Sequence, residues 1–202
     1  ENNTKRINGI LKELQENSYA EGTVERKLSD LYKMAVDTDR REKDGLSPVQ
    51  PILKRLEAAK TTSQLFAIQK EMMPAGAPMF YGAGIGADEM NATQNILGVN
   101  QGGLTLGQKD YYLENDPATT KIREAYKLHI VKMFRLFGFK TGAAQKKMQN
   151  VMKIEMALAK VSRSNTQLRD PKANYNKMTL QEFQSKYPHL QLEQLMNAKG
   201  ID

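Results

Sequence analysis

Residues 117–138, which read PATTKIREAYKLHIVKMFRLFG, decide the fold of this chain. Within them a mostly apolar stripe recurs every three or four residues, the spacing that places side chains on one face of an α-helix. The stripe consists of Ile122, Tyr126, His129, Ile130, Met133, Leu136 and Phe137. Pro117 suits the first turn of a helix, and Gly138 suits the position just after its end. The stretch therefore predicts one long amphipathic helix.

The residues that follow predict a second long helix and then a loop. The helix is expected over about residues 143–161, because its apolar positions repeat the same helical spacing. These positions are Met148, Val151, Ile154 and Leu158. Residues 162–176 are polar and include a proline, which predicts a structured loop.

Two shorter helical patterns complete the C-terminal part. Thr179 and Glu182 have the spacing of a capping box, in which a hydroxyl and a carboxylate three residues later satisfy backbone N–H groups. A short helix is therefore expected to begin there and to end at Pro188. A further amphipathic pattern begins at Leu190.

Four helices are predicted before residue 74. The first covers about residues 1–17, and the second follows an N-cap at Thr23 and ends near residue 38. The stripe of the second helix consists of Val24, Leu28, Leu31 and Ala35. The third is expected to begin with Ser47 as N-cap and Pro48 at its first position. The fourth is expected after an N-cap at Ser63, up to the break at residues 74–78.

Residues 79–101 differ from the rest because they contain two short apolar runs flanked by glycine. The runs are 79–81 and 96–99, with polar turn residues 88–91 between them, which predicts a β-hairpin. Gly82, Gly84 and Gly86 resemble a phosphate loop only weakly, since no helix follows them. They are expected to allow a bend or bulge in the hairpin.

The predicted fold is therefore mostly α, a multi-helix domain of about seven helices with one small hairpin near residues 79–101. We expect a first helical group at residues 1–73, the hairpin, and a second helical group at residues 117–202. The 202 residues include no cysteine, and 40% are hydrophobic, as in a globular domain. The chain opens without Met, inside a helical pattern, so it is expected to be a fragment.

The formal charge of +7 comes from basic residues that are interspersed with acidic ones. This pattern favours a solvated surface over a nucleic-acid site. No apolar run approaches the roughly 20 residues that a membrane-spanning helix needs. We therefore expect neither a nucleic-acid partner nor a membrane span within this chain.

The chain has two histidines, and they do not form a zinc-binding motif. A thermolysin-type peptidase needs two histidines one helical turn apart with a glutamate between them. His129 and His189 are sixty positions apart, so His129 is expected to be a partly buried helix residue and His189 a surface residue. Carboxylate pairs such as Asp37 with Asp39, or Glu114 with Asp116, lie in polar stretches that give neither member a special pKa. We expect no catalytic, cofactor-binding or metal-binding residue in this chain.

Residues 101–113, which read QGGLTLGQKDYYL, resemble the Gln-x-x-Leu-Gly-Leu-Pro-x-x-Asp-Tyr-Tyr segment of the neprilysin family of zinc metalloendopeptidases. Residues 154–159 are similar to the Ile-Glu-x-x-Leu-Ala helix of that family, and residues 169–171 and 175–180 resemble a later segment, in the same order and spacing. Thr105 and Gly107 replace the usual Gly and Pro, and Leu192 stands where Trp is common. Together with the lack of cysteine, these departures indicate a bacterial oligopeptidase-type member.

The resemblance implies a larger enzyme in which two mostly helical lobes enclose a cavity. A C-terminal catalytic segment of that enzyme would hold the zinc, and none would be bound by this chain. Seven residues within the matching segments are expected to fix loop and helix ends rather than to contact substrate. They are Gln101, Asp110, Tyr111, Arg169, Asp170, Tyr175 and Asn176.

The main hypothesis is a non-catalytic portion of a zinc-dependent metalloendopeptidase that cleaves oligopeptides. Its expected partners are the catalytic lobe of the same polypeptide and, through the whole enzyme, oligopeptide substrates. The parent is expected to be an enzyme, whereas this chain alone is not. The resemblance suggests the bacterial periplasm, the cell surface or the medium as its location. The alternative is a stand-alone helical binding module that recognises an acidic partner or nucleic acid.

Overall fold

The computed structural model describes residues 2–73, 76–77 and 79–198, and this part of the chain is mostly helical. It contains twelve α-helices and one two-stranded antiparallel sheet. The helices are α1 (Asn2–Glu16), α2 (Val24–Val36), α3 (Thr38–Asp44), α4 (Gln50–Ala58), α5 (Thr62–Met72), α6 (Asp110–Leu113), α7 (Pro117–Leu136), α8 (Thr141–Val161), α9 (Asn165–Leu168), α10 (Pro171–Asn174), α11 (Leu180–Lys186) and α12 (Leu192–Ala198). The strands are β1 (Tyr81–Asp88) and β2 (Asn91–Gln101).

The fold class and the hairpin are confirmed, but the predicted number of about seven helices is wrong. Four of the additional helices, α3, α6, α9 and α10, have only four to seven residues. A helix of one or two turns is too short to show an apolar period, so a pattern search does not find it. The fifth, α12, is the pattern that begins near Leu190. The predicted break at residues 74–78 and the residues after 198 lie mostly outside the described residues.

The chain divides into two compact units, Glu1–Leu53 and Lys54–Asp202, which are described separately. The predicted grouping into residues 1–73, 79–101 and 117–202 stays a prediction about domains. In the first unit, α1 packs against α2. Leu14 is buried at this contact, and the buried Ser29 donates its hydroxyl hydrogen to the Leu14 carbonyl at 2.6 Å. Thr23 caps α2 as predicted, because its hydroxyl accepts the Arg26 N–H.

The apolar stripe of α2 does not form the core of the first unit. Val24 is 66% exposed and Leu31 is 65% exposed, while the buried residue of this helix is Ser29. The helix is amphipathic as predicted, but α1 covers its other side. The sequence pattern identifies an apolar face and not the element that covers it.

Two predicted helix starts are wrong, and one helix begins where none was predicted. No helix is predicted between residue 38 and Ser47, yet Asp37 accepts the Arg40 N–H at 2.9 Å and starts α3. Ser47 donates to the Asp44 carbonyl within a turn, so α4 begins later, at Gln50. Thr61 and Gln64 form the capping box of α5, in place of the predicted cap at Ser63.

In the second unit, α7 and α8 form the longest helix pair, and the ends of α7 agree with the prediction. Asp116 accepts the N–H groups of the first turn, with Pro117 at the first helical position. At the other end, Gly138 has a positive φ of 90°. The Phe139 N–H donates to the Phe134 carbonyl at 3.1 Å, the hydrogen bond of a Schellman motif. The capping box of Thr179 and Glu182 at α11 is also confirmed.

One face of the hairpin packs on the core, and on the other face β1 carries glycines at three alternate positions. Tyr81 pairs with Gln101 and Gly84 with Gly98, and the register shifts between Ala87 and Asp88. The expected irregularity therefore lies after the glycine string and not within it. A Cβ added at Gly82, Gly84 or Gly86 would meet no atom within 4 Å, so these glycines leave their face open.

The second unit contains two hydrophobic clusters that hold its elements together. In the first cluster, Tyr81 and Met73 pack with Leu192 and Leu195, which joins the hairpin to α5 and α12. In the second, Tyr112 and Ile130 pack with Met152 and Ala159, which joins α6 to α7 and α8. None of the described helices is both long and apolar enough to cross a membrane.

Candidate functional site

A buried carboxylate joins four segments of the second unit. Glu155 lies on α8 and is only 7% exposed. Its oxygens accept hydrogen bonds from the hydroxyls of Tyr112 at 2.8 Å, Tyr126 at 3.0 Å and Thr105 at 2.7 Å. These donors come from α6, α7 and the loop after β2, respectively. We call these four residues the Glu155 cluster. It holds the segment that follows the hairpin against the α7–α8 pair.

The two phenols of the Glu155 cluster remain protonated at neutral pH. Burial raises the pKa of Tyr126 to about 12, and the neighbouring Glu155 carboxylate adds to that rise. Burial also raises the pKa of Tyr112, further than that of Tyr126, although the Leu106 N–H donates to its oxygen at 3.0 Å. A protonated phenol is a hydrogen-bond donor and a poor base. The cluster is therefore suited to holding elements together and not to acid–base catalysis.

The end of β2 is fixed to the end of α8 by a reciprocal pair of hydrogen bonds. The Gln101 amide donates to the Arg163 carbonyl at 3.0 Å, and the Arg163 N–H donates to the Gln101 side-chain oxygen at 2.9 Å. The Lys109 ammonium donates to the Ser162 carbonyl at 2.8 Å. Arg123 of α7 donates to three carbonyls at the end of α6. The segment from 101 to 114 is thus held at both ends.

A second buried carboxylate ties the tip of the hairpin to the segment after α10. Asp88 is 1% exposed, and it accepts hydrogen bonds from the Tyr175 hydroxyl at 2.8 Å and the Lys177 ammonium at 2.8 Å. The Met90 N–H also donates to it, at 2.9 Å. The ammonium of Lys177, followed by the other two donors, lowers the pKa of the Asp88 carboxyl to about 2. The carboxylate is therefore charged and fully paired at neutral pH.

The segment 163–176 is held by Asn174, which makes contacts in three directions. Its amide donates to the Gln167 carbonyl at 2.9 Å and to the Asp170 carbonyl at 2.6 Å. Its side-chain oxygen accepts from the Arg163 guanidinium, which also donates to the Ala173 carbonyl at 2.8 Å. Asp170 caps α10 by accepting the Ala173 N–H. The predicted structured loop contains two single-turn helices and is closed by side chains.

The seven residues expected to fix loop and helix ends differ in what they do. Gln101, Asp170 and Tyr175 make contacts of the expected kind, and the Asn176 amide donates to the Asn174 carbonyl at 3.0 Å. Tyr111 contributes its backbone carbonyl to Arg123. The side chains of Asp110 and Arg169 are exposed and form no hydrogen bond with the residues that the structure describes.

Four residues that make most of these contacts were not predicted from the sequence, namely Tyr112, Asp88, Asn174 and Glu155. For Glu155 a signal was present. It lies four residues after Val151 and three before Leu158, so a carboxylate occupies the apolar face of α8. Ile154, placed in the predicted stripe, is instead 54% exposed, and the buried face of α8 includes Met152, Glu155 and Ala159.

The two histidines lie apart from these clusters. His189 is exposed as predicted, whereas His129 is also exposed, so the prediction of a partly buried residue is wrong. It lies at the edge of the apolar stripe of α7, beside the buried Ile130. Across the described ranges, no three or more His, Cys, Asp or Glu side chains form a group that could hold a metal ion.

The part of the chain that the structure describes is thus a mostly helical region with one hairpin, whose loops are fixed by buried side chains. The model of the family described as Peptidase family M13 matches residues 1–202. The chain therefore belongs to peptidase family M13. It is 27% identical over 202 residues to endothelin-converting enzyme 1 of Homo sapiens, covering 94% of this chain and 26% of that protein. It is 26% identical over 190 residues to endothelin-converting enzyme-like 1 of Rattus norvegicus, covering 87% and 24%.

Solved structures show the same fold at low sequence identity. PepO from Lactobacillus rhamnosis HN001 has a TM-score of 0.80 and 20% identity, covering 96% of this chain and 31% of that one. The zinc metalloprotease ZMP1 of Mycobacterium tuberculosis, in complex with an inhibitor, has a TM-score of 0.79 and 23% identity, covering 90% and 28%. The chain thus spans about a quarter of the length of the curated relatives that it matches.

Proposed function

We propose that this chain is a non-catalytic portion of a zinc-dependent metalloendopeptidase that cleaves oligopeptides, and that it helps to enclose the substrate cavity. The observation that carries the proposal is that the whole chain matches peptidase family M13 but spans only about a quarter of the length of its relatives. The catalytic lobe of the same polypeptide would be its partner, and it would supply the reaction.

The residues described here do not fit a zinc site. Two histidines, both exposed and far apart in the sequence, cannot form the His-x-x-x-His face that a zinc peptidase uses. The catalytic step at a metal would therefore belong to the rest of the parent enzyme. Zinc, when bound by the parent, would activate water or polarise a peptide carbonyl.

The contribution of this chain to that activity would be a wall of fixed shape. Such a wall excludes folded proteins only if its loops stay closed. Two buried carboxylates hold these loops in place. The Glu155 cluster holds residues 105–112 against two long helices, and Asp88 holds the hairpin tip to Tyr175 and Lys177. Because each carboxylate is buried and accepts several hydrogen bonds, opening either loop would break these bonds together.

Protection of single cysteines in the parent enzyme tests this proposal. Residues 1–202 contain no cysteine, so each introduced thiol in this part is a unique label. Suitable exposed positions are Ile85 on the hairpin, Leu128 on α7, and Ile154 and Val161 on α8. Each variant is treated with a thiol reagent, with and without a phosphonamide peptide that occupies the zinc site. A peptide of the same composition that does not inhibit serves as the control.

Protection of at least one of these thiols by the inhibitor, and not by the control peptide, supports enclosure. An inhibited enzyme in which all four thiols react at unchanged rates would remove the enclosure part of the proposal. A purified parent that binds no zinc and cleaves no peptide would remove the peptidase part. Salt-dependent binding of nucleic acid by such an inactive parent would instead favour the stand-alone binding module.

A further inference from the structure

A groove with a sulfur-rich floor and a basic rim runs between α6, α7 and α8. Its volume is about 940 Å³, and it is lined by Tyr112 and Leu113 of α6, by Arg123 and Lys127 of α7, and by one face of α8. Met152 lies buried in the floor, with Met148 and Met156 on either side of it. No acidic residue is among the described residues that line the groove.

The four cations of the groove are not equivalent. The Arg123 guanidinium donates to carbonyls at the end of α6 and to the Asn115 side chain, and Lys127 is paired with Glu124 at 2.7 Å. Lys153 and Lys160 are exposed and form no ion pair within the described part of the chain. They are seven residues apart on one helix face, which separates them by about 10 Å along the axis. The rim therefore presents two available positive charges at a fixed spacing.

The floor is suited to an apolar helix face. Met148, Met152 and Met156 follow each other at intervals of four residues, so their side chains form one row along α8. Methionine is flexible and polarisable, and it adapts to apolar side chains of different shape. Amphipathic helices dock into such grooves through apolar residues spaced three or four apart. Carboxylates at the edge of such a helix, about two turns apart, would face Lys153 and Lys160.

We propose that this groove docks an acidic amphipathic helix of the same parent polypeptide, from outside residues 1–202. The inference rests on the proposed function, because it requires a longer parent chain. The edge of the docked helix is expected to be acidic, because Lys153 and Lys160 at the rim have no acidic neighbour among the described residues that line the groove. The length of the relatives, of which this chain spans about a quarter, specifies the source.

Zero-length carbodiimide cross-linking of the parent enzyme, followed by peptide mass spectrometry, tests the docking. This reagent joins an ammonium to a carboxylate only when the two are in contact. We expect Lys153 or Lys160 to be joined to an Asp or Glu of the same chain outside residues 1–202, within a segment of helical apolar spacing. Lys121 and Lys132, exposed on α7 and not among the groove residues, are the reference lysines.

Oxidation of Met156 by peroxide gives a second measurement. Met156 is 36% exposed within this chain, so a covered Met156 in the native parent is expected to oxidise at least tenfold more slowly than in the urea-unfolded parent. The variant K153E/K160E should lose most of this protection. The control K121E/K132E changes the net charge by the same amount and should keep it.

Three results would overturn the inference. One is a cross-link from these lysines to a second copy of the chain or to a separate protein. Another is an oxidation rate of Met156 that is close to the unfolded rate in the native parent. The third is equal protection in K153E/K160E and in the control. Peptide hydrolysis and cysteine protection, measured on the same preparations, report on the proposed function separately, so that failure of one is not mistaken for failure of the other.

Discussion

The hydroxyl of Tyr112 donates a hydrogen bond of 2.8 Å to Glu155, a residue 43 positions later in the chain, and accepts the Leu106 N–H at 3.0 Å. Tyr112 is 1% exposed, so both contacts are shielded from water. The phenol therefore fixes the turn at Leu106 and the buried carboxylate at the same time. This relationship makes Tyr112 the central residue of the segment that follows the hairpin.

Replacing Tyr112 with Phe should destabilise the chain more than replacing Tyr126 with Phe. Y112F removes a hydrogen bond to a charged group, a loss of about 1.5–3 kcal/mol, and leaves the Leu106 N–H without its partner. Y126F removes the longer bond, at 3.0 Å, and leaves no backbone donor unpaired. Urea unfolding followed by circular dichroism measures both losses. Equal losses would show that the Leu106 contact contributes nothing.

Alkaline pH should weaken the second unit over a defined range. The pKa of Tyr126 is about 12 in the folded chain, against an ordinary value of 10.0. Because the folded pKa is the higher one, the stabilisation is complete below pH 10 and is lost as the pH rises towards 12. The midpoint of urea unfolding should therefore fall across this range, and less steeply in Y126F. A midpoint that stays constant between these values in the wild-type chain contradicts the assignment.

Acidic pH should also lower the stability of the second unit, because it protonates the other buried carboxylate, Asp88. The pKa of Asp88 is about 2 when folded and 3.8 ordinarily. A lowered pKa gives stabilisation that is complete above the unfolded value and is lost as the pH falls through about 4 to 2. The variant D88N should have a lower Tm than wild type at pH 7, and the difference should disappear near pH 2. The control D110N alters an exposed carboxylate without a described hydrogen-bond partner and should leave Tm unchanged at both pH values.

Replacing Gly103 with Ala should lower the free energy of unfolding more than replacing Gly107 with Ala. Both glycines have a positive φ, 83° and 80°, which strains any side chain by about 1–2 kcal/mol. At Gly103 the added Cβ would also lie 2.8 Å from Leu158 Cδ1, whereas at Gly107 it would meet no atom within 4 Å. Overpacking of this kind adds about 1–3 kcal/mol. Equal destabilisation of G103A and G107A in urea would show that Leu158 moves aside freely.

Loss of the Thr61 hydroxyl should weaken α5, while loss of the Ser63 hydroxyl should have a smaller effect. Thr61 accepts the Gln64 N–H at 3.2 Å and completes a capping box, a contact that contributes about 1 kcal/mol. Ser63 only accepts an exposed hydrogen bond from Gln191. Comparing T61A with S63A by thermal unfolding measures the difference. A larger loss of Tm in S63A than in T61A would show that Ser63, the N-cap predicted from the sequence, caps α5.

The features that could be predicted from the sequence are those set by neighbouring residues. Asp116-Pro117 and Gly138 delimit α7 because the proline restricts φ and the glycine tolerates a positive φ. The capping box at Thr179 depends on four consecutive residues, and the hairpin turn lies between two short apolar runs. In each case the residues that form the sequence pattern lie within a few positions of the residues whose conformation they determine.

The site could not be predicted in the same way because its contacts join distant residues. Asp88 looked like turn material, yet it is buried by Tyr175 and Lys177, which lie 87 and 89 positions later. The face of α2 that looked like core is exposed, and no local rule states which element covers an apolar stripe. Glu155 was visible as a carboxylate on an apolar face, but its hydroxyl partners were not. The family resemblance identified the right segments without the side chains that hold them.

The long separation between Asp88 and its partners also affects how the chain is made. Ribosomes add about 5–20 residues per second, so the hairpin tip is synthesised about 4 to 18 seconds before Lys177. During that interval the Asp88 carboxylate has neither of its two side-chain donors and remains in water. The partner of the Tyr81 hydroxyl is synthesised later still, since this hydroxyl donates to the Leu190 carbonyl 109 positions further along the chain. Docking of the hairpin is therefore a late event in the synthesis of this chain, and an interruption of translation before residue 177 leaves the hairpin without the ion pair between Asp88 and Lys177.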